Sequence, residues 1–482
     1  MRRTPAAQSR EAVSAPDGDR TGRLPLAVWQ VVGVAAIGSF MAQLDATVVN
    51  VSLGSLSRDL HASLATIQWV VSGYLLALAL VLPLNGWLVD RIGAKAVYLW
   101  CFAAFTLSST LCGLAWSAES LIAFRILQGM SGGLLAPMAQ MMVARVAGRQ
   151  MARVASYVTM PVLLAPLLGP VVAGAILHYA SWRWLFLVNL PVGVMAFALA
   201  AVLLSDDRNE TRPRTLDLTG LALLSPGLFL FLYGSDHAGT PVGRASLAIS
   251  VVVLVWFCWN ASRKGDAALI DLRLLRNKPF AASVLVMFMM NGVSFAGQML
   301  IPIFLTHGCG LSPERSGLLL APLGLGMMCT YPFIGALTDR FGIRRLAGAG
   351  ALLAILWTVP LLFLASHGLS VPLLVGSLFL RGAGISAVGV PSMTASYATI
   401  AKPKLPMAAS ASNIVQRLGG PTLTTVCATF LGWRLSAISG PASSLEGFVA
   451  TFALLSALHA ALYLTTLRLP AVLPDPEPEQ PG

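Results

Sequence analysis

The sequence predicts an all-α membrane protein, with fourteen transmembrane helices arranged as two six-helix bundles plus two extra linking helices. Three observations lead there. Of 482 residues, 56% are apolar and only 11% are charged, against about a quarter charged in an ordinary soluble chain. The apolar residues fall into runs of about 20, the length that crosses a hydrocarbon core. One polar loop motif occurs twice, at matching places in the two halves. A water-soluble globule is excluded, and almost no chain is left for a soluble domain.

Taken in order, residues 1–25 are polar and arginine-rich, lack the apolar stretch of a cleaved signal, and read as a disordered cytoplasmic tail. Runs bounded by charges, Pro and Gly place spans near 29–52, 66–88, 97–116, 120–143, 154–178 and 184–204, so that residues 26–205 form an N-terminal six-helix bundle. Spans near 217–235 and 245–262 fall in residues 206–265 as the two extra transmembrane helices. Spans near 280–305, 315–337, 347–366, 371–393, 407–432 and 448–467 give residues 266–468 as the C-terminal six-helix bundle. Residues 469–482, rich in Pro and acidic side chains, form a second cytoplasmic disordered tail.

Charge fixes the expected orientation. With the N-terminus inside, outer segments hold only Arg58, Arg183, Arg244, Arg315 and Arg434, and spans hold only Arg125, Arg381 and Arg417, out of 32 lysines and arginines. All the others fall inside, so both termini are expected in the cytoplasm of a multi-pass protein. The net charge of +12 therefore reports sidedness, and no nucleic-acid partner is implied. Six cysteines lie scattered, mostly in apolar runs, with no CxxC; they support neither a disulfide framework nor a metal site.

The repeated motif is GWLVDRIGAK from Gly86 to Lys95 and GALTDRFGIR from Gly335 to Arg344. Gly86, Asp90, Arg91 and Gly93 match Gly335, Asp339, Arg340 and Gly342. An even number of spans separates the copies, which puts both loops on the inner face. Parallel repeats of this kind suit two halves related by an axis along the membrane normal. Glycines allow tight turns while the charges stay at headgroup level. The pairing suggests a conformational latch; a simple topology anchor is the alternative.

Charges within spans are costly and invite a functional reading. Asp45 lies ~10 Å and Arg125 ~8 Å below the outer surface at 1.5 Å rise per residue, so the two are level. They form a candidate proton-coupling pair with Gln128 one turn from Arg125, or else a static pair that holds helices together. Arg381 and Arg417 fall near the midplane, where transporter sites lie. With Asn291, Gln298 and Asn413 they form a candidate substrate site for a lipophilic weak acid, or else they bind helix-end carbonyls. Pro161, Ala165, Gly169 and Ala173 recur every fourth residue on the fifth span and strip one face of bulk for close helix packing; Pro166 and Pro170 add kinks. No GxxxxGK[ST] or HExxH is present, so neither nucleotide hydrolysis nor that metalloprotease chemistry is encoded. An ion gradient is the remaining energy source, and a channel or sensor the competing class.

The run LDATVVNV from Leu44, the Gly86–Lys95 loop, RILQG from Arg125, LGPVVAG from Leu168 and WRWLFLVNLPVG from Trp182 resemble the successive signatures of the major facilitator superfamily. Their order resembles its fourteen-helix drug:proton antiporters of the EmrB/QacA type, and ASASN at 409–413 with Arg417 is closer to EmrB. Ala173 replaces the usual glycine, and the outer loop before the last span is short. The resemblance implies a major facilitator fold and proton-driven multidrug efflux without a cofactor, from a bacterial inner membrane. It also implies work beside a periplasmic adaptor and an outer-membrane channel. It assigns Ala165, Gly169, Pro170, Ala173 and Gly174 to the antiporter-motif helix, whose bend limits leakage. Export of a specific metabolite or of lipophilic cations remains the alternative.

Overall fold

The computed structural model describes residues 25–147, 151–207, 211, 215–437 and 443–471. Residues 1–24 and 472–482 of the two expected tails, and the loop arginines Arg149, Arg208, Arg212 and Arg214, lie outside them. All regular structure among the described residues is helical.

The first half runs through α1 (Leu26–Asp59), α2 (Leu64–Val81), α3 (Leu84–Ile92), α4 (Ala94–Gly113), α5 (Ala118–Ala147), α6 (Met151–Tyr179), the short α7 (Trp184–Leu187) and α8 (Asn189–Leu203). Ser63 starts α2 by accepting from the Thr66 amide, the usual way an N-cap satisfies an orphan donor. Pro83 has no amide to continue the ladder, and there α3 turns by 56° from α2. The expected second span is therefore a broken one. α1 continues to Asp59, past the predicted end near Ser52, so Asp45 lies ~21 Å from that end of the helix and not ~10 Å.

A hairpin follows, α9 (Leu218–Asp236) and α10 (Pro241–Lys264). Asp217 caps α9 through the Gly220 amide, and Thr240 caps α10 ahead of Pro241. The second half holds α11 (Lys278–Ile303), extended by a π turn at Phe304–Gly308, then α12 (Pro313–Phe341), α13 (Ile343–Leu356), α14 (Val359–His367), α15 (Val371–Ala398), α16 (Leu405–Ala437) and α17 (Ser443–Thr466). Every predicted span thus overlaps a helix or a helix pair. By length and apolarity, however, eleven helices qualify as membrane-crossing, or up to twelve with the bent pair, against the fourteen expected. Two remain. α16 carries Ser, Thr, Asn, Gln and Arg along its length, because a helix walled by other helices needs little lipid-facing apolar surface, and several side chains of α6 lie outside the described set.

Within the first half α1 packs on α5 and α6, α2 on α5, and α4 on α5 and α8. The second half repeats this with α11 on α15 and α16, α12 on α15, and α13 on α15 and α17. The halves meet where α12 crosses α6 and where α16 crosses α3 and α5; the hairpin leans on α2 and α16 through α9. Each half has an apolar core of its own, and a larger one is shared by both halves and the hairpin. Phe304 packs edge-on against Phe448 and Phe452 in the second, and Trp182 against Phe186 in the first.

Candidate functional site

α1, α5 and α8 bring four polar side chains together inside the first half. Arg125 Nη1 lies 2.5 Å from Asp45 Oδ2, both about 1% exposed. The same nitrogen donates to Gln128 Oε1 at 2.8 Å, while Gln128 Nε2 donates to Asp45 Oδ1 at 3.0 Å. Gln128 follows Arg125 by three residues, so helical spacing sets both on one face of α5. Asn189 Nδ2, at the start of α8, donates to Asp45 Oδ1 at 2.9 Å and to Ser109 Oγ at 3.1 Å. The carboxylate therefore accepts from three different side chains, an arrangement that suits its ionised form.

Arg125 is tied to a fourth helix. Its Nε donates to the Val70 carbonyl of α2 at 3.1 Å, and its guanidinium lies 4.1 Å from the Tyr74 ring centroid. The approach of α5 to α2 depends on glycine: a Cβ on Gly129 would stand 2.4 Å from the Tyr74 carbonyl oxygen. Tyr74 also interacts electrostatically with Arg417 of α16.

The five candidate substrate residues do not form one cluster. Arg381 is 1% exposed inside the second half, where Nη2 donates to the Val293 carbonyl at 3.1 Å while Nε and Nη1 find no hydrogen-bond partner among the described residues. A Cβ on Gly297 would lie 2.1 Å from Arg381 Nη2, so the guanidinium occupies the notch this glycine leaves. Gln298, beside it in sequence, is exposed, and Asn291 is half-buried. Asn413 instead bridges the halves, donating to Gln140 Oε1 at 2.9 Å, an oxygen that Tyr397 also reaches at 3.1 Å. Arg417 is half-buried and faces the Tyr74 side.

Both copies of the repeated loop meet the opposite half at one end of the molecule. Gly86 N donates to Ser410 Oγ at 3.1 Å, and Gly86 is close enough to α16 that a Cβ would stand 3.3 Å from Met407 Cα. Gly335 abuts Arg153 of α6, whose Cα a Cβ would approach to 2.6 Å, and Asp339 interacts electrostatically with Arg153. Gly93 and Gly342 adopt positive φ of 87° and 80°, where an L side chain is strained. Asp207 closes the first turn by accepting from the amides of Ala94 (2.7 Å) and Lys95 (3.2 Å) and from Arg145 (2.9 Å). The second is closed by carbonyls, with Arg344 Nε donating to Leu469 O at 2.5 Å. At this latch end the halves are in contact; at the far end a cleft of about 1230 Å³ separates α2 from α16.

On α6, Ala165 and Ala173 are fully buried, and Thr47 of α1 donates to the Ala165 carbonyl at 3.3 Å. A Cβ on Gly169 would come within 2.5 Å of Thr47 Oγ1, whereas one on Gly174 would meet nothing. The small-residue face thus packs on α1 without Gly174, and the Pro170 side chain lies outside the described residues. Beneath the hairpin, Asp217 accepts from Lys264 at 2.6 Å and from the amides of Gly220 and Leu269. Burial pushes its carboxyl up, but these donors outweigh burial and hold it below the usual carboxylate range.

Sequence reasoning gave Asn189 no role, although an amide after an apolar run needs a partner in hydrocarbon. Tyr74 carries no such signal.

The major facilitator superfamily model matches residues 35–424 and 285–481. A multidrug resistance protein B homolog of Mycobacterium tuberculosis is 34% identical over 442 residues, covering 90% of this chain and 81% of that protein. The putative multidrug resistance protein MdtD of Klebsiella pneumoniae is 34% identical over 357 residues, covering 71% and 73%. Among solved structures, the human organic anion transporter MFSD10 aligns with a TM-score of 0.65 at 18% identity, over 92% of this chain and 100% of that one.

Proposed function

Because the chain belongs to the major facilitator superfamily, a family of transporters and not of enzymes, we propose that it is a proton-driven multidrug efflux antiporter. It exports hydrophobic, weakly acidic or neutral toxic compounds by alternating access. The observation that carries this reading is the Asp45–Arg125 pair, sealed from water and hydrogen-bonded on to α2 through Val70. The names of the relatives support efflux, and the two matching latch contacts support rocking of residues 26–205 against 266–468.

In this scheme an outer proton neutralises Asp45, and the new O–H can no longer accept from all three donors. Arg125 loses its counter-charge and pulls on α2, and the latch contacts at Gly86 and Gly335 part. The proton leaves to the cytoplasm, and Asp45 pairs with Arg125 again. No cofactor takes part. Cargo meets Arg417 on the inter-half side, with Asn413 as an orienting group; Arg381, shut inside its bundle, positions α11 instead. α6 and α16 complete a fourteen-span chain of the EmrB/QacA type. The latch end faces the cytoplasm of a bacterial inner membrane, both termini are cytoplasmic, and a periplasmic adaptor and outer-membrane channel carry cargo onward.

The test is Asp45→Asn. Gradient-driven dye efflux should vanish while the protein stays folded in the membrane, and normal efflux would end the proposal. Export restricted to cationic dyes would overturn the cargo assignment alone.

A further inference from the structure

The far-end cleft is lined by three separate bodies. Trp69 comes from α2, Tyr233 and His237 from α9, Arg244 from α10, Phe295 from α11 and Thr425 from α16. The hairpin, which belongs to neither repeat, therefore supplies a whole wall. It is fastened on both sides: Ser225 donates to the Leu80 carbonyl of α2 at 2.8 Å, and Thr425 of α16 donates to the Ser235 carbonyl at 3.3 Å. Along α9, Phe229, Tyr233 and His237 recur at four-residue spacing and stack nearly parallel, with ring centroids 6.3 and 4.4 Å apart. Trp69 and Phe295 remain 42% and 53% exposed across from this ladder.

We infer that this cleft is a binding site for a flat aromatic lipophile carrying one acidic group, with the α9–α10 hairpin as its specificity wall. An apolar cavity with a few polar groups suits a lipophilic ligand, and aromatic faces from three directions favour a ring over a saturated body of equal size. Asp236 lies 3.5 Å from His237 and offsets its charge whenever the imidazole is protonated. Arg244 is then the remaining cation of the wall, with no ion pair seen among the described residues. The Val70 carbonyl that holds Arg125 sits on the same turn of α2 as Trp69, so filling the cleft bears directly on the Asp45 pair. The inference rests on the export reading for its biological meaning, but binding can be measured without a gradient.

Equilibrium binding of radiolabelled 1-naphthoate and of its saturated counterpart, decahydro-1-naphthoate, to the full-length protein in lipid nanodiscs tests it. The aromatic probe should bind about fivefold more tightly. Tyr233→Leu and Trp69→Leu should bring the ratio toward one, and Tyr233→Phe should keep it. Because a ratio is read, a partly unfolded variant changes the number of sites and not the answer. No binding, no aromatic preference in the native protein, or an unchanged ratio in both leucine variants overturns the site. Dye efflux in cells separates the two claims: export with no aromatic preference sinks the cleft alone, while the expected ratios without any export sink the antiporter and leave the cleft standing.

Discussion

The two halves place an arginine on corresponding helices, Arg125 on α5 and Arg381 on α15, and surround them differently. Arg125 meets a carboxylate, the amide oxygen of Gln128 and a carbonyl. Arg381 meets one carbonyl, and where the first half offers Asp45 from α1 the second offers the bare Gly297 from α11. The latch glycines repeat the contrast: Gly93 and Gly342 share a backbone conformation, yet a carboxylate closes one turn and carbonyls the other. The two halves share a geometry and differ in chemistry, and among the described residues the fully buried carboxylate–guanidinium pair lies in the first.

The largest effect that would break this contrast is on stability. Asp45→Ala strands a buried guanidinium and should cost about 3–5 kcal/mol, read as thermal unfolding in detergent. Arg381→Met removes a charge already short of partners and should stay within about 1 kcal/mol of the native protein or exceed it. Equal losses would mean that both halves depend on an ion pair.

A smaller difference is expected at the latches. Asp207→Ala deprives two amides and Arg145 of their acceptor and should cost about 1–2 kcal/mol, on the scale of the strain that Gly93→Ala and Gly342→Ala each introduce at positive φ. The asymmetry shows in combination. Asp207→Ala and Gly93→Ala act on one turn and should fall short of additive, whereas Asp207→Ala and Gly342→Ala should add.

The smallest effect belongs to the hairpin between the halves. Asp217 is held below the usual carboxylate range, so its contribution is present above the unfolded value of about 3.9 and is lost as pH falls through the lower folded value. Asp217→Asn should therefore lower the unfolding temperature by a few degrees at pH 7, and the gap should close on acidification below about pH 4. A gap that does not depend on pH would assign the loss to the cap alone.

Much of this was readable from the chain. The apolar runs fixed where helices lie because hydrocarbon admits few alternatives, and Asp45, Arg125 and Gln128 stood out because charge within a span demands a partner. Pairing followed from equal depth, even though α1 proved longer than its apolar stretch; a helix end in water is set by caps and not by hydropathy. Asn189 lay within a quoted motif but ranks as an ordinary polar residue until α8 is set against α1. The dispersal of Arg381, Gln298 and Asn413 was beyond reach for the same reason. Depth along a helix can be counted in sequence, while the direction a side chain faces depends on which neighbours close around it.

The clamp on the second latch has a practical side. Arg344 grips the Leu469 carbonyl, and a Cβ on Gly342 would stand 2.7 Å from Ala471 O. Residues Leu469 and Ala471 thus brace the turn of the second repeated loop. A fluorescent reporter joined directly after Ala471 would load that contact, whereas one joined ahead of Leu26 would not. Labels for following the transport cycle belong at the front of the chain, or behind a long spacer at its back.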